Sequence, residues 1–260
     1  MAAAFLPEES MALTQALQNQ LPEKWRAGLQ VFDRIDSTNL EAARQLESDP
    51  QLPLLLVASA QTAGIGRRGR TFVSPAATGL YWTAVFTLPA ATPQGLVTPA
   101  AGVALQAAVT SALDVPTQLK WVNDLINASG KVAGILAQAA SGNCPHLIVG
   151  IGINLAPDPK RQLAAPGQPI GSLLPAIPDD ATKAALVAQW AAHFDSLLRQ
   201  AHLIMPAFRA HAAWLGELVT LSEPAHVTVG RLVGFADDGA IILDTANGEQ
   251  QFHDGTLRRR

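Results

Sequence analysis

The sequence holds a single cysteine, Cys144, among its 260 residues. One thiol closes no internal disulfide and builds no cysteine-rich zinc site, so no metal ligand set is expected and a reducing cytoplasm suits the chain. Cys144 reads as a small apolar residue near a strand start. An excess of positive charge is also missing: 18 Lys and Arg stand against 21 Asp and Glu, a net charge of −3. No global basic field therefore draws the chain to nucleic acid or to a membrane surface. No uninterrupted apolar run approaches the roughly 20 residues that span a bilayer. The stretch Met1 to Ser10 lacks a basic lead, and Pro7-Glu8-Glu9 interrupts its apolar part, which excludes a signal peptide. Residues 1–26 have room for one short helix, around Ser10 to Asn19, but not for the two helices and hairpin of a winged helix, so no DNA partner is expected. Internal repeats and low-complexity tails are absent as well.

What is present is a 48% hydrophobic composition, heavy in alanine and leucine, which suits a well-filled α/β core. The chain is organised around Gln61 to Pro75. Gly64-Ile65-Gly66-Arg67-Arg68-Gly69-Arg70 packs three glycines and three arginines into seven residues. Glycines let a backbone take positive φ and approach an anion closely. Arginines add permanent charge and a planar fork that fits phosphate or carboxylate. Three repelling charges with little apolar surface predict a loop that orders on an anion. The same composition also suits a solvated surface loop or a weak nucleic-acid patch.

Periodicity and turn signals outline the rest. Leu29 to Ile35, Leu52 to Ala60, Leu80 to Leu88, Leu119 to Val122, Val132 to Ala139 and His146 to Leu155 read as strands. Thr38 with Glu41 three residues on matches a capping box, predicting a helix from Asn39 to Glu47. Leu96 to Leu113, Ala181 to Gln200 and Pro206 to Leu215 read as helices, and Ala156 to Pro178 as a long connection with one helical turn. Tyr81, Trp82 and Phe86 read as core. From Glu217 on, Val219 to Leu221, His226 to Phe235, Ala240 to Asp244 and Glu249 to His253 read as short strands, with Asn247-Gly248 as a hairpin turn.

Asp36-Ser37-Thr38-Asn39, the Gly-Arg loop, Lys120-Trp121-Val122-Asn123-Asp124-Leu125 and Gly150-Ile151-Gly152-Ile153-Asn154, in that order, resemble the catalytic domain of biotin protein ligases. The resemblance runs from about Val31 to the C-terminus. It implies an α+β fold: a mixed sheet flanked by helices, like a class II aminoacyl-tRNA synthetase, with a small C-terminal SH3-like β-barrel. The implied organisation is an N-terminal extension (1–26), a catalytic domain (27–215) and the small domain (216–260), in the short form without a DNA-binding domain.

The resemblance further implies ATP and biotin as substrates with Mg²⁺, and a biotin carboxyl carrier protein, such as that of acetyl-CoA carboxylase, as acceptor. Exposed sheet edges are compatible with a homodimer. Lys120 and Arg67 become the catalytic candidates. Ser37, Thr38, Asn39, Gln61, Ile65, Gly66, Arg67, Lys120 and Gly152 are placed on biotin. Arg67, Arg70, Phe72, Asn123, Lys131, Asn154 and Arg258 are placed on the nucleotide, with Arg68 turned outward. A carboxylate is already ionised at neutral pH, so its attack on a phosphate needs positioning and charge stabilisation rather than a base. Asp124 stands near enough in sequence to be considered as base for the acceptor amine. Bland alternatives remain: helix capping for Ser37 to Asn39, a turn lysine for Lys131, a strand-end turn for Asn154 and a solvated basic tail for Arg258. The sequence departs from the family pattern at Ile65, where arginine is usual, and at Phe72, where tryptophan is common. A lipoate or octanoate ligase, a nucleic-acid-binding module and a non-catalytic biotin binder are the competing readings.

Overall fold

The computed structural model describes residues 8–140, 146–164 and 169–260. Cys144 and residues 1–7 lie outside them. Two helices, α1 (Glu8–Gln20) and α2 (Glu23–Arg26), lead into β1 (Leu29–Phe32), α3 (Thr38–Leu46), β2 (Leu54–Ala58) and β3 (Gly79–Thr87). Then come α4 (Val97–Leu113) and two hairpins, β4 (Gln118–Lys120), β5 (Asp124–Asn127), β6 (Gly130–Ala139) and β7 (His146–Asn154). These seven strands form one sheet in the order β1-β2-β3-β7-β6-β5-β4, parallel only between β1 and β2.

Side chains alternate across this sheet with period two, and the two faces differ. Leu55, Val57, Trp82, Ala84, Val149, Ile151 and Ile153 point into the main core, against α4 and α6 (Asp180–Arg199). Trp190 of α6 stacks on Phe194 with ring centroids 4.9 Å apart and meets Trp82 edge-on at 5.8 Å. Its indole N–H donates to the Ala101 carbonyl of α4 at 3.2 Å. Such aromatic contacts add to the area burial that dominates core energetics. The stretch Gln94–Leu113 is long and apolar enough to cross a membrane by length and composition, yet two thirds of it is buried here as the central core helix. Leu13 and Leu17 of α1, Leu21 just after it and Trp25 of α2 are buried against the same core, and the Trp25 indole donates to buried Asp195 at 3.0 Å.

The opposite face carries α3, whose Ala42 packs with Leu54, Leu56, Val85 and Ile148. Next to that patch the face becomes Thr83, Gly134, Gly150, Gly152 and Asn154, with little side-chain bulk. That hollow is the floor of the site.

After α5 (Pro159–Ala164) and α6, α7 (Ile204–Ala210) leads to a second, wholly antiparallel sheet. Its strands β8 (Leu218–Ser222), β9 (Val227–Phe235), β10 (Ile241–Thr245), β11 (Gly248–Phe252) and β12 (Thr256–Arg259) lie in the order β11-β10-β9-β8-β12, a small β unit as expected. Trp121 anchors it to the first sheet by donating to the Gly239 carbonyl at 3.0 Å.

Several elements depart from the sequence reading. The capping box at Thr38 does not form: Ser37 is the N-cap, and Glu41 instead accepts from Arg44 and Gln45. The Leu119 to Val122 strand stops at Lys120, and Asp124 to Asn127 turns back as a strand of its own. The predicted helix Pro206 to Leu215 ends at Ala210, because the segment after it pairs with Leu119 through His211 and Ala213. Arg258 lies in β12, paired with β8, rather than in a tail.

Candidate functional site

A cavity of about 700 Å³ opens on the glycine-lined face, and all of the site residues named above line it. Along β7 the period-two positions 150, 152 and 154 divide its floor. A Cβ at Gly150 would stand 1.9 Å from Asn39 Oδ1, and one at Gly152 would stand 2.3 Å from the Phe72 ring. The absent side chains thus make room for Asn39 at one end and for Phe72 in the middle.

At the first end, Ser37, Thr38 and Asn39 are all buried where α3 begins. Gln61 Oε1 accepts from the Thr38 backbone N–H at 2.8 Å and from its hydroxyl at 3.1 Å. Gln61 Nε2 donates to the Ser74 hydroxyl at 2.9 Å. The Thr83 hydroxyl lies 2.7 Å from both the Thr38 hydroxyl and the Asn39 amide oxygen. Buried polar groups satisfied in this way hold fixed rotamers and present a preformed polar pocket.

In the middle, Asp124 sits between two cations. Lys120 Nζ donates to one carboxylate oxygen at 2.9 Å, and Lys131 Nζ stands 2.6 Å from the other. Burial pushes the Asp124 carboxyl up, but the charges of Lys131 and Lys120 outweigh it and hold the group below the ordinary carboxylate range. Two lysines against one carboxylate leave net positive charge in a partly desolvated site. Lys120 also lies 5.5 Å from the Trp214 ring centroid, and Lys131 5.9 Å from that of Phe72.

Over the cavity, the Gly-Arg loop is a tight hairpin rather than an open coil. Gly66 N–H donates to the Arg70 carbonyl at 2.7 Å and Phe72 N–H to the Gly64 carbonyl at 2.8 Å. The turn needs positive φ at Arg68 (58°) and Gly69 (71°). Arg67 donates to Asn123 Oδ1 at 3.3 Å and to Asp254, and Arg68 donates to the other Asp254 oxygen at 2.6 Å. Arg68 is exposed, as expected, and its guanidinium is held against the second sheet by Asp254. Arg70 is exposed at the rim, and Arg258 enters the rim from β12.

At the far end, the Asn154 amide donates to the carbonyls of Lys131 at 3.2 Å and Gly171 at 3.1 Å. Arg161 of α5 is buried beside it, bonded to the Ala156 carbonyl and the Tyr81 hydroxyl.

Residues 31–154 match the Biotin/lipoate A/B protein ligase family. A biotin--[acetyl-CoA-carboxylase] ligase of Paracoccus denitrificans is 35% identical over 238 residues, covering 84% of this chain and 94% of that protein. The chain belongs to the biotin protein ligase family. A second such ligase, from Mycobacterium tuberculosis, is 33% identical over 144 residues, covering 53% of this chain and 52% of that protein. The solved biotin protein ligase of Aquifex aeolicus in complex with biotin and ATP superposes with a TM-score of 0.76 at 23% identity, covering 90% of this chain and 99% of that one. That likeness shows that the mixed sheet flanked by helices is the ligase fold.

Within this ligase family site the structure brings together segments that sequence order keeps far apart. Sequence reasoning missed the clamp role of Asp124, whose low-lying pKa makes it a poor base for an amine. It also missed Thr83, Arg161 and Asp254. Thr83 carried a signal, a small hydroxyl residue at the centre of the apolar run Leu80 to Leu88, whereas Arg161 and Asp254 carried none.

Proposed function

We propose that the protein activates biotin with ATP to biotinyl-5′-AMP and pyrophosphate, then transfers the biotinyl group to a lysine of a biotin carboxyl carrier protein. The observation that carries this reading is the single cavity lined by a neutral polar pocket, a lysine pair and an arginine loop in series. The volume falls within the range of small-molecule sites. Ser37, Thr38, Asn39 and Gln61, already hydrogen-bonded, offer donors and acceptors to the ureido ring, with Gly66, Ile65 and Gly152 as neighbouring walls.

Lys120 then meets the biotin carboxylate and the α-phosphate. A lysine about 4 Å from a phosphate contributes roughly 4 kcal/mol at an effective dielectric near 20, before desolvation is subtracted. Asp124 keeps Lys120 and Lys131 aimed while leaving positive charge for the two anions that must meet. Arg67, freed from Asp254, and Arg70 fold onto the phosphates and exclude water from the reactive anhydride. Asn123 orients Arg67, and Lys131, Asn154 and Arg258 complete the nucleotide side with Phe72.

Among the residues lining the cavity Asp124 is the sole carboxylate, and both lysines claim it. No described group of three or more metal-binding side chains stands ready to cage an ion. Mg²⁺ therefore fits only as the companion of the ATP phosphates, where it offsets charge on the departing pyrophosphate.

The test is intact-mass measurement of a carrier domain incubated with the protein, biotin and Mg-ATP. The expected result is a gain of one biotinyl group on the carrier, absent when ATP is omitted. A carrier that stays unmodified while a known ligase modifies it would defeat the reading.

A further inference from the structure

Trp214 is the bulkiest of the five non-glycine residues that stand at positive φ among the described ones, with φ at 65°. A large side chain in the left-handed region is strained, and such strain persists where the surroundings over-determine it. Here hydrogen bonds fix both flanks. The Leu119 N–H donates to the His211 carbonyl and the Ala213 N–H to the Leu119 carbonyl, each at 2.8 Å. That ties the segment to the residue just before Lys120. Beyond the bend, the Glu217 N–H donates to the Trp214 carbonyl at 3.0 Å and the Gly216 N–H to the Leu232 carbonyl of β9 at 2.8 Å.

The strained bend sets the half-buried indole against Lys120, whose Nζ lies over the ring, 5.5 Å from its centroid. Lys120 lines the cavity and Trp214 does not, so the ring reaches the site only through the lysine. Lys120 is buried, and among the described residues the only hydrogen-bond partner of its Nζ is Asp124, at 2.9 Å. Asp124 is shared in turn with Lys131 at 2.6 Å. The Lys120 ammonium is thus seated by two unlike neighbours, a carboxylate and an aromatic face.

The two neighbours do different things to the charge. An ammonium is a compact cation with three N–H donors on a flexible four-carbon stem, so it needs aiming. Asp124 alone would draw it down onto the carboxylate. A second carboxylate opposite would hold it but cancel the charge. An aromatic face attracts the cation through its quadrupole and adds no negative charge. Two N–H groups and the full positive charge then stay available to two anions that repel each other. We propose that Trp214 is a positioning residue that holds the Lys120 ammonium between Asp124 and the substrates. The inference rests on the biotin-activating reading above and adds to it a residue that lies outside the cavity.

The experiment replaces Trp214 alone by tryptophan analogues with one to four ring fluorines, which withdraw π density and leave the shape nearly unchanged, and follows biotin-dependent pyrophosphate release from Mg-ATP. The expected result is a stepwise fall of kcat/KM with each fluorine, reaching about five-fold or more at four, while the melting temperature stays constant. Trp214→Leu, which keeps apolar bulk without a ring, should lose about as much, and Trp214→Phe should keep more activity than Trp214→Leu. A value of kcat/KM that does not change along the fluorinated series marks Trp214 as merely structural and overturns the proposal. Equal activity of Trp214→Leu and Trp214→Phe overturns it as well. An unaltered protein that releases no pyrophosphate with ATP and biotin removes the ligase reading, and the role of Trp214 with it.

Discussion

At the residue scale the arrangement turns on Asp124, which joins two lysines drawn from different hairpins. Because Lys131 remains to neutralise Asp124, Lys120→Ala leaves no uncompensated buried charge, unlike the usual break of a buried ion pair. The variant should therefore stay folded and lose biotin-dependent pyrophosphate release by about a hundred-fold or more, the scale seen when a charge-stabilising group is removed. A thermal melt together with the release assay checks both halves, and near-normal release would refute the assignment of Lys120. That Lys120, Asn154 and the Gly-Arg loop line one cavity was legible in the sequence through the motifs that carry the family resemblance. Asp124 was visible only as a neighbour, since nothing in the sequence says that Lys131, seven residues on, folds back onto it across β5 and β6. The burial of Arg161 was hidden for a related reason: its guanidinium packs over Gly79, which sheet pairing sets opposite Asn154.

At the scale of elements, the Gly-Arg hairpin and α3 each carry a testable contact. Arg67 and Arg68 both bind Asp254, which lies between β11 and β12, so ligand-free protein holds its arginine loop against the second sheet. Asp254→Asn should leave the loop less restrained, and trypsin should cut after Arg67, Arg68 or Arg70 several-fold faster than in the unaltered protein. Biotin and ATP added together should slow the cut in both. Equal cleavage rates without ligand would show that Asp254 does not restrain the loop. The sequence pattern showed the charge of this loop but not its anchor, because an ion pair between residues so distant leaves no local trace.

The start of α3 is fixed by Asp36, whose carboxyl accepts from both Arg44 and the Ser37 backbone N–H. The bond from Arg44 is the main cause that draws its pKa down from the ordinary value to about 2. A carboxyl lowered on folding adds stability in full above its ordinary value near 4, and that stability is lost as pH falls through the folded value. The stability gap between the protein and Asp36→Asn should thus be present at neutral pH and close between about pH 4 and about pH 2. Since the ion pair is largely exposed, the gap should be small. Urea unfolding across that range measures it, and a gap independent of pH would contradict the account.

At the scale of the whole molecule, the hydrophobic patterning was legible almost throughout: the continuous apolar strands, the alanine-rich core helix and the Asn247-Gly248 hairpin all stand where periodicity put them. What escaped were short elements set by tertiary pairing, namely β5, β12 and the truncated α7. The N-terminal helices were underestimated, because only packing shows Leu13, Leu17, Leu21 and Trp25 sealing the side of the core that α6 closes. Four such side chains represent about 6 kcal/mol or more of apolar burial. Removing residues 1–26 should therefore lower the melting temperature sharply, and a truncated protein that melts like the full chain would show these helices to be dispensable. The central claim concerns what the cavity does. It is tested most directly by pyrophosphate release from Mg-ATP with biotin, lipoate or octanoate in parallel, without acceptor protein. The account predicts biotin-dependent release confined to one early turnover, the mark of a retained biotinyl-adenylate; release with lipoate or octanoate instead, or with none of the three, would contradict it.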